Sequence, residues 1–258
     1  MRHALHAEWT KLRTLASTLW LLLAAAALTV TVSAAAAAAT RCPSGACADD
    51  PAKISLTGIY LGQAVIAALA VMAVSGEYGT GMIRLTLAAT PRRTAVLAAK
   101  AAIVTGLTLV TGTIAVLASL LAGRLILPGH GIGPAHGYPA LSFSDGPVLR
   151  AALGSVLYLV LIALLSLGAA TVLREAAAAI GAVLGLLYLF PIIAAAAGNA
   201  AVSRHLEQVG PMTAGLAIQA TTGLNSQPIG PWAGLGVLAA WAVGALLLGG
   251  TLFSLRDA

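Results

Sequence analysis

The chain has 258 residues, of which 59% are hydrophobic and 9% are charged, and its formal net charge is +6. Soluble domains carry about 25% charged residues, so these charges are too few to cover a water-facing surface, and the hydrophobicity is too high for intrinsic disorder. The composition, with a mean hydropathy of +0.95, therefore indicates an integral membrane protein.

The segment before the first long apolar run is expected to form an amphipathic helix. Its apolar residues recur at the spacing of one helical face, and they are Leu5, Trp9, Leu12 and Ala16. The charged residues off this face are Glu8, Lys11 and Arg13. A basic amphipathic helix with a tryptophan can lie in the membrane interface. It serves either as a topology anchor or as a cytoplasmic surface for a partner.

Six charge-free apolar stretches are long enough to cross a bilayer, which takes about 20 helical residues. We predict membrane spans at residues 17–39, 54–75, 101–123, 152–173, 176–198 and 232–253. These runs do not alternate as the strands of a membrane β-barrel do. The first exceeds the core of a signal peptide, so we expect it to be retained. The expected fold is an all-α integral membrane protein with six transmembrane helices in one domain, residues 1–258.

Two cysteines, Cys42 and Cys47, flank a Pro-Ser-Gly sequence in the connection after the first span. Turn residues of this kind bring the two sulfurs together, and such a pair can oxidise on the outer side of a membrane. We expect a disulfide between Cys42 and Cys47, with two free thiols as the alternative. Two cysteines without a neighbouring histidine do not predict a metal site.

The connection between the second and third spans holds more structure than a bare link needs. Its glycines at 76, 79 and 81 are expected to interrupt the helix. Residues 82–89 can form a short helix, after which Thr90 and Pro91 can cap the next one.

The charges of this connection are a second reason to single it out. Glu77 is expected to hold one of three arginines, which are Arg84, Arg92 and Arg93. Together with Lys100, these arginines lead into the third span. The alternative is that the charges only set the topology of the chain.

Short patterns within the spans predict how the helices pack. Only Arg174 and Glu175 separate the fourth and fifth spans, and we expect a tight hairpin there because one helix through both would far exceed a bilayer. The pairs Gly58-x-x-x-Gly62 and Gly181-x-x-x-Gly185 permit close helix packing, for instance at a seam between two copies.

The basic residues predict the orientation of the chain. With six spans both termini share a side, and placing them in the cytoplasm puts nine of the 14 basic residues there: Arg2, Lys11, Arg13, Arg84, Arg92, Arg93, Lys100, Arg174 and Arg256. This excess favours cytoplasmic termini by the positive-inside rule. We expect a multi-pass protein of the plasma membrane. In such a protein the net positive charge is not a sign of nucleic-acid binding, and we expect no nucleic-acid partner.

Motifs for catalysis and nucleotide binding are missing from the sequence. No G-x-x-x-x-G-K-[ST] loop, H-E-x-x-H motif or G-x-S-x-G elbow occurs. No carboxylate lies well inside a predicted span, since Glu77 and Glu175 stand at span ends, and this argues against proton-coupled carriers. We therefore expect a chain without catalytic activity, without a metal and without a cofactor of its own.

Two of these segments resemble the permease subunits of ABC-2 type ABC transporters, in particular the small six-span permeases common in actinobacteria. The matching sequences are residues 8–14 (EWTKLRT) with Trp20, residues 76–84 (GEYGTGMIR), and Pro91-Arg92-Arg93 with Lys100. A weaker match is the segment Pro211–Ile218, which contains Ala214 and Gly215. There the family commonly has Leu-Pro, whereas Gly210 precedes the proline here.

The resemblance implies a membrane subunit that pairs with a separate ATPase subunit, which binds the ATP and Mg²⁺, and with a second permease copy, identical or related. The coupling residues it implies are Glu77, Tyr78, Arg84, Arg92 and Arg93. The N-terminal helix on the membrane surface would include Glu8, Trp9, Lys11 and Arg13. The outer re-entrant segment would include Pro211, Ala214, Gly215 and Ile218.

The family also implies the direction and the class of substrate. The expected activity is export of a hydrophobic or amphiphilic compound, such as a drug, a lipid or a peptide, through a pathway within membrane lipid. The alternatives are an ATP-independent carrier or channel, and a membrane-embedded enzyme that modifies lipids.

Overall fold

The computed structural model describes residues 10, 16–42, 50–79, 81–82, 93–132, 141–142 and 145–255. The helices within these residues are α1 (Ala16–Ala39), α2 (Pro51–Ser55), α3 (Ile59–Gly79), α4 (Arg93–Ile126), α5 (Gly146–Leu173), α6 (Ala176–Ala196), α7 (Ala200–Val209), α8 (Pro211–Leu216) and α9 (Pro231–Leu255). Short 3-10 turns cover Leu127–His130, Ala217–Gln219 and Leu224–Ser226. The described part of the chain contains no strand.

Six of the described helices are long and apolar enough to cross a membrane: α1, α3, α4, α5, α6 and α9. This confirms the prediction of an all-α membrane protein with six spans. The helices differ from the predicted spans mainly at their starts, because the spans were counted from charge-free residues alone. α4 begins at Arg93 and α5 at Gly146, each several residues before the predicted span.

The start of the second span also differs from the prediction. Residues 51–55 form the separate helix α2, which Asp50 caps by accepting hydrogen bonds from the backbone of Ala52 and Lys53. A turn at residues 56–58 then leads into α3 at Ile59. The side-chain cap and the proline at the first helical position explain why a new helix starts here.

At the other end of α3, the expected interruption of the helix at Gly76 is wrong. α3 continues through Gly76 to Gly79. A glycine inside a helix costs only about 1 kcal/mol, which is less than leaving backbone groups unpaired next to a bilayer. Gly81 has a φ of +69°, the left-handed conformation that glycine adopts without strain.

α5 is the central helix of the bundle. It packs against α3, α4, α6 and α9. In its most apolar 18-residue stretch, 67% of the residues are buried, against 17% in the corresponding stretch of α6. Its most extensive contact is with α9, where Gly168 lies against Ala245 and Leu246 while Gly249 lies against Thr171. Small residues at such a crossing let two helix backbones approach each other.

α1 packs against α3 through the first of the two glycine pairs. A methyl group on Gly58 would overlap the carbonyl oxygen of Thr29, and one on Gly62 would overlap the Thr29 hydroxyl. The Gly58 N–H donates to Ser33 Oγ at 3.0 Å. This pair therefore packs within one chain and not at a seam between two copies. At Gly181, by contrast, an added methyl group would meet no atom within 4 Å.

The link between α5 and α6 is the expected tight hairpin. Arg174 adopts the left-handed conformation with φ 61°, and its N–H donates to Ala170 O at 2.8 Å. Glu175 caps α6 by accepting hydrogen bonds from the N–H groups of Ala177 and Ala178. These two bonds, first that from Ala178, lower the pKa of the Glu175 carboxyl below its ordinary value.

The packing of α1 on α3 leads to a prediction for the glycine pair. Gly58→Ala should lower the free energy of unfolding by about 1–3 kcal/mol, because the methyl group would meet backbone atoms that cannot move aside. The matched control is Gly181→Ala, which should leave stability unchanged or raise it by up to about 1 kcal/mol. Thermal unfolding in detergent micelles measures both. Equal melting temperatures for the two variants would contradict the packing.

The cap of α6 leads to a prediction about pH. Because the folded-state pKa of Glu175 is lowered, its contribution to stability is present above the unfolded-state pKa and is lost as pH falls through the folded-state value. The melting temperature of the Glu175→Gln variant should therefore fall less steeply with acid than that of the parent, at and below about pH 4.3. Identical profiles for parent and variant would show that the cap does not contribute.

Candidate functional site

Charged and aromatic side chains from three spans meet at one end of the bundle. We call this group the basic-end cluster, and its members are Glu77 and Tyr78 of α3, Arg93 and Lys100 of α4, and Arg174 after α5. The last turn of α9 lies beside it. The cluster surrounds the two ends of residues 80–92, which connect α3 to α4.

The centre of the cluster is an ion pair between Lys100 and Glu77. The Lys100 ammonium lies 2.7 Å from Glu77 Oε1, and the two side chains are only 5% and 10% exposed. The ammonium also donates to the carbonyl oxygen of Ala73 at 3.0 Å. The pair therefore joins α3 to α4 across 23 residues of sequence.

Arg93 joins the cluster to the end of α9. Its guanidinium donates to the carbonyl oxygens of Phe253 at 2.9 Å and Ser254 at 3.4 Å. The last carbonyls of a helix have no partner within the helix, and a cation there also stabilises the helix dipole. α9 has no basic residue in its own last turn, so α4 supplies the cation that caps it.

Tyr78 joins the cluster to the α5–α6 hairpin. The Arg174 guanidinium carbon lies 5.3 Å from the centre of the Tyr78 ring, which is within the range of a cation–π interaction. Residues at the end of α3 thus contact α4 through one side chain and the hairpin through the next.

The cluster contains part of the predicted coupling set. Glu77, Tyr78 and Arg93 lie together here, whereas Arg84 and Arg92 lie outside the described residues, as do Glu8, Trp9, Lys11 and Arg13 of the N-terminal segment. Glu77 forms an ion pair with Lys100, and the expected pairing of Glu77 with Arg84 or Arg92 falls outside the described residues. Lys100 was assigned to the connection because the predicted third span started after it, whereas it belongs to α4 and is buried.

A second group of residues lies inside the bundle, where the segment Pro211–Ile218 packs. All four of its predicted residues, Pro211, Ala214, Gly215 and Ile218, are buried. Gly215 lies against the ring of Tyr158, and Ile218 fills the space left by Gly154 of α5. α8 and the 3-10 turn after it therefore pack on the central helix.

A buried polar network that the sequence analysis missed holds this segment in place. The Tyr158 hydroxyl donates to Gln63 Oε1, and Gln63 Nε2 contacts the sulfur of Met212 at 3.1 Å. One turn further, Gln219 Nε2 donates to Ser155 Oγ at 3.3 Å. Polar groups inside a membrane protein are costly unless they are satisfied. Because the partners lie 64 to 149 residues apart, no local pattern could have paired them.

The chain after this segment is fixed by one carboxylate, Asp50. Its Oδ1 accepts from the Thr221 hydroxyl at 2.7 Å and Oδ2 accepts from the Thr222 N–H at 3.0 Å, in addition to the cap of α2. The Thr221 N–H donates to the same carboxylate. Arg150 of α5 donates to the Ala220 carbonyl oxygen at 2.6 Å. We refer to these contacts as the Asp50 clasp.

The predicted disulfide involves Cys42, which precedes Asp50 in the sequence. Cys42 is disulfide-bonded, while Cys47, the other cysteine of the chain, lies outside the described residues. The Cys42 N–H donates to the His130 carbonyl oxygen at 3.0 Å. Within the described residues, no group of three or more His, Cys, Asp or Glu side chains could hold a metal ion.

The ion pair leads to a prediction about stability. Lys100→Met should lower the free energy of unfolding by about 3–5 kcal/mol, because it leaves the Glu77 carboxylate buried without its ammonium. Replacing both partners, with Glu77→Leu and Lys100→Met, should recover most of this loss. Unfolding in micelles gives both values. If the double variant is as unstable as the single one, the loss does not come from an uncompensated charge.

The chain was also compared with known proteins. No protein-family model matches it, and no curated protein is significantly similar to it.

Proposed function

We propose that the chain is the membrane-spanning permease subunit of an ABC-2 type ABC transporter. It exports a hydrophobic or amphiphilic compound, such as a drug, a lipid or a peptide, and a separate ATPase subunit supplies the energy. Both termini lie in the cytoplasm, so the basic-end cluster faces the ATPase. Two permease copies, identical or related, form the pathway.

The observation that carries this proposal is the basic-end cluster. Residues 80–92, the expected coupling segment, leave α3 and enter α4 where Glu77 is paired with Lys100 and Arg93 caps α9. A force applied to this segment therefore acts on three spans at once. A connection that only reversed the chain would need no buried ion pair, whose formation requires the desolvation of two charges.

The burial of Glu77 divides the predicted coupling residues into two roles. Glu77 is only 10% exposed, so it is a positioning residue that holds the segment to the bundle. Arg84 and Arg92 belong to the segment itself and contact the ATPase.

α3 provides a path from the cluster to the buried segment. Glu77 lies 14 residues after Gln63 on the same helix, which is about 21 Å along the axis. Gln63 contacts both Tyr158 of α5 and Met212 of the segment. A movement of α3 driven at the basic end thus reaches the segment Pro211–Ile218 through rigid contacts.

The test is to tag the C-terminus, solubilise native membranes in mild detergent and identify the proteins that co-purify. We expect a stoichiometric ATPase that carries a phosphate loop. Arg84→Glu should remove it while the melting temperature of the permease stays unchanged. The matched control is Arg124→Glu, an exposed charge at the opposite end of α4, which should retain the ATPase.

Two results would contradict the proposal. Recovery of the chain alone in several mild detergents would favour an ATP-independent carrier or channel, or a lipid-modifying enzyme. Loss of the ATPase with Arg124→Glu but not with Arg84→Glu would place the ATPase at the wrong end of the bundle.

A further inference from the structure

Arg174, the residue that ends α5, has a backbone conformation that ordinarily calls for glycine. Its φ is 61° and its ψ is −11°, and in the part of the chain that the structure describes no other residue except glycine has a positive φ. A residue with a β-carbon is strained in this left-handed region, and helices commonly place glycine there. An arginine at such a position therefore calls for a task that only its side chain can perform.

The side chain of Arg174 contacts the end of α3. Its guanidinium carbon lies 5.3 Å from the centre of the Tyr78 ring, and the face of an aromatic ring attracts a cation at this distance. Tyr78 follows Glu77, which the buried ion pair joins to Lys100, and it stands two residues before the connection 80–92. The guanidinium thus rests on the residue through which this connection leaves α3.

The hairpin passes any displacement of Arg174 to α6. Only Glu175 separates Arg174 from Ala176, where α6 begins, and the Glu175 carboxylate accepts hydrogen bonds from the N–H groups of Ala177 and Ala178. The first turn of α6 is therefore fixed to the hairpin. The rest of α6 is weakly held, because its most apolar stretch has the lowest buried share among the six long helices described, 17%. A helix with so few buried contacts is the one most free to move.

We propose that Arg174 is a positioning residue that couples the connection between α3 and α4 to α6. The proposal rests on the proposed function, in which an ATPase moves residues 80–92. Tyr78 moves with these residues, and the guanidinium stacked on its ring carries the start of α6 along. A hairpin that only reversed the chain would be more stable with glycine at this φ. The arginine gives up that stability for the contact with Tyr78.

Two variants separate the backbone of Arg174 from its side chain. Arg174→Ala removes the guanidinium and keeps the strained backbone, whereas Arg174→Gly removes the guanidinium and the strain together. Because only glycine relieves the strain, Arg174→Gly should melt about 2–4 °C above Arg174→Ala in detergent micelles. An alanine variant at least as stable as the glycine variant would overturn the proposal, since the backbone at this position would then favour no glycine.

The movement itself is measured in the complex of the full chain with its ATPase, reconstituted in phosphatidylcholine vesicles. Spin labels at Leu149→Cys of α5 and Ile193→Cys of α6, both exposed and far from the hairpin, report the distance between the two helices by electron paramagnetic resonance. Cys42 is disulfide-bonded and takes up no label. ATP with vanadate should shift this distance by several ångströms in the parent and in the control Arg124→Ala, at the opposite end of α4. Both Arg174 variants should lose more than half of the shift, to the same extent despite their different melting temperatures.

The outcomes distinguish the role of Arg174 from the proposed function. Absence of an ATPase from the purified parent would overturn both. If the ATPase is present, a distance that does not change in the parent, or a change that both Arg174 variants retain, would overturn only the role of Arg174. A change that Arg174→Gly keeps and Arg174→Ala loses would overturn it too, because the loss would then follow stability and not the missing guanidinium.

Discussion

The ion pair between Lys100 and Glu77 holds α3 and α4 together at the basic end of the bundle. It lies where α3 ends and α4 begins, and both side chains are almost fully buried. A buried charge is tolerated only when its partner is fixed beside it, so the pair constrains the relative register of the two helices. The hydrogen bonds of Arg93 to α9 and the stacking of Arg174 on Tyr78 depend on that register.

The Asp50 clasp plays the corresponding role at the other end. One carboxylate caps α2 and also receives the backbone of Thr221 and Thr222, and Arg150 fixes the residue before them. Between the two ends, Gln63 and Tyr158 connect α3 to α5 and to the buried segment. These polar contacts of the described residues therefore lie at points where helices meet.

The sequence was sufficient to predict the class of fold and the six spans, because the hydrophobic run length of a membrane helix is a local property. The α5–α6 hairpin followed from local information too, since only Arg174 and Glu175 interrupt the apolar run. The ends of the other helices were less accurate. Charge-free counting stops at the first lysine or arginine, whereas α4 continues back through Lys100 to Arg93.

The partners of buried polar side chains could not be predicted in this way. Gln63 and Tyr158 each stand alone in an apolar stretch, and only the packing of α3 on α5 brings them together. A weak signal was available for Lys100, because a lysine seven residues into a helix that enters a bilayer needs a carboxylate nearby. Glu77 was the nearest acidic residue in the sequence.

The shortness of the α5–α6 hairpin has a mechanical consequence. A two-residue link keeps the first turn of α6 next to the last turn of α5, so α6 can move as a rigid body only by pivoting about its basic end. The helix is 21 residues long, or about 31 Å, so a pivot of about 10° displaces its far end by about 5 Å. The contacts that yield are therefore those farthest from the pivot, at Phe190 on Trp241 and at Tyr188, whose hydroxyl donates to the Tyr60 carbonyl oxygen. The separation between α6 and α9 therefore changes most beside α7 and least at the basic end.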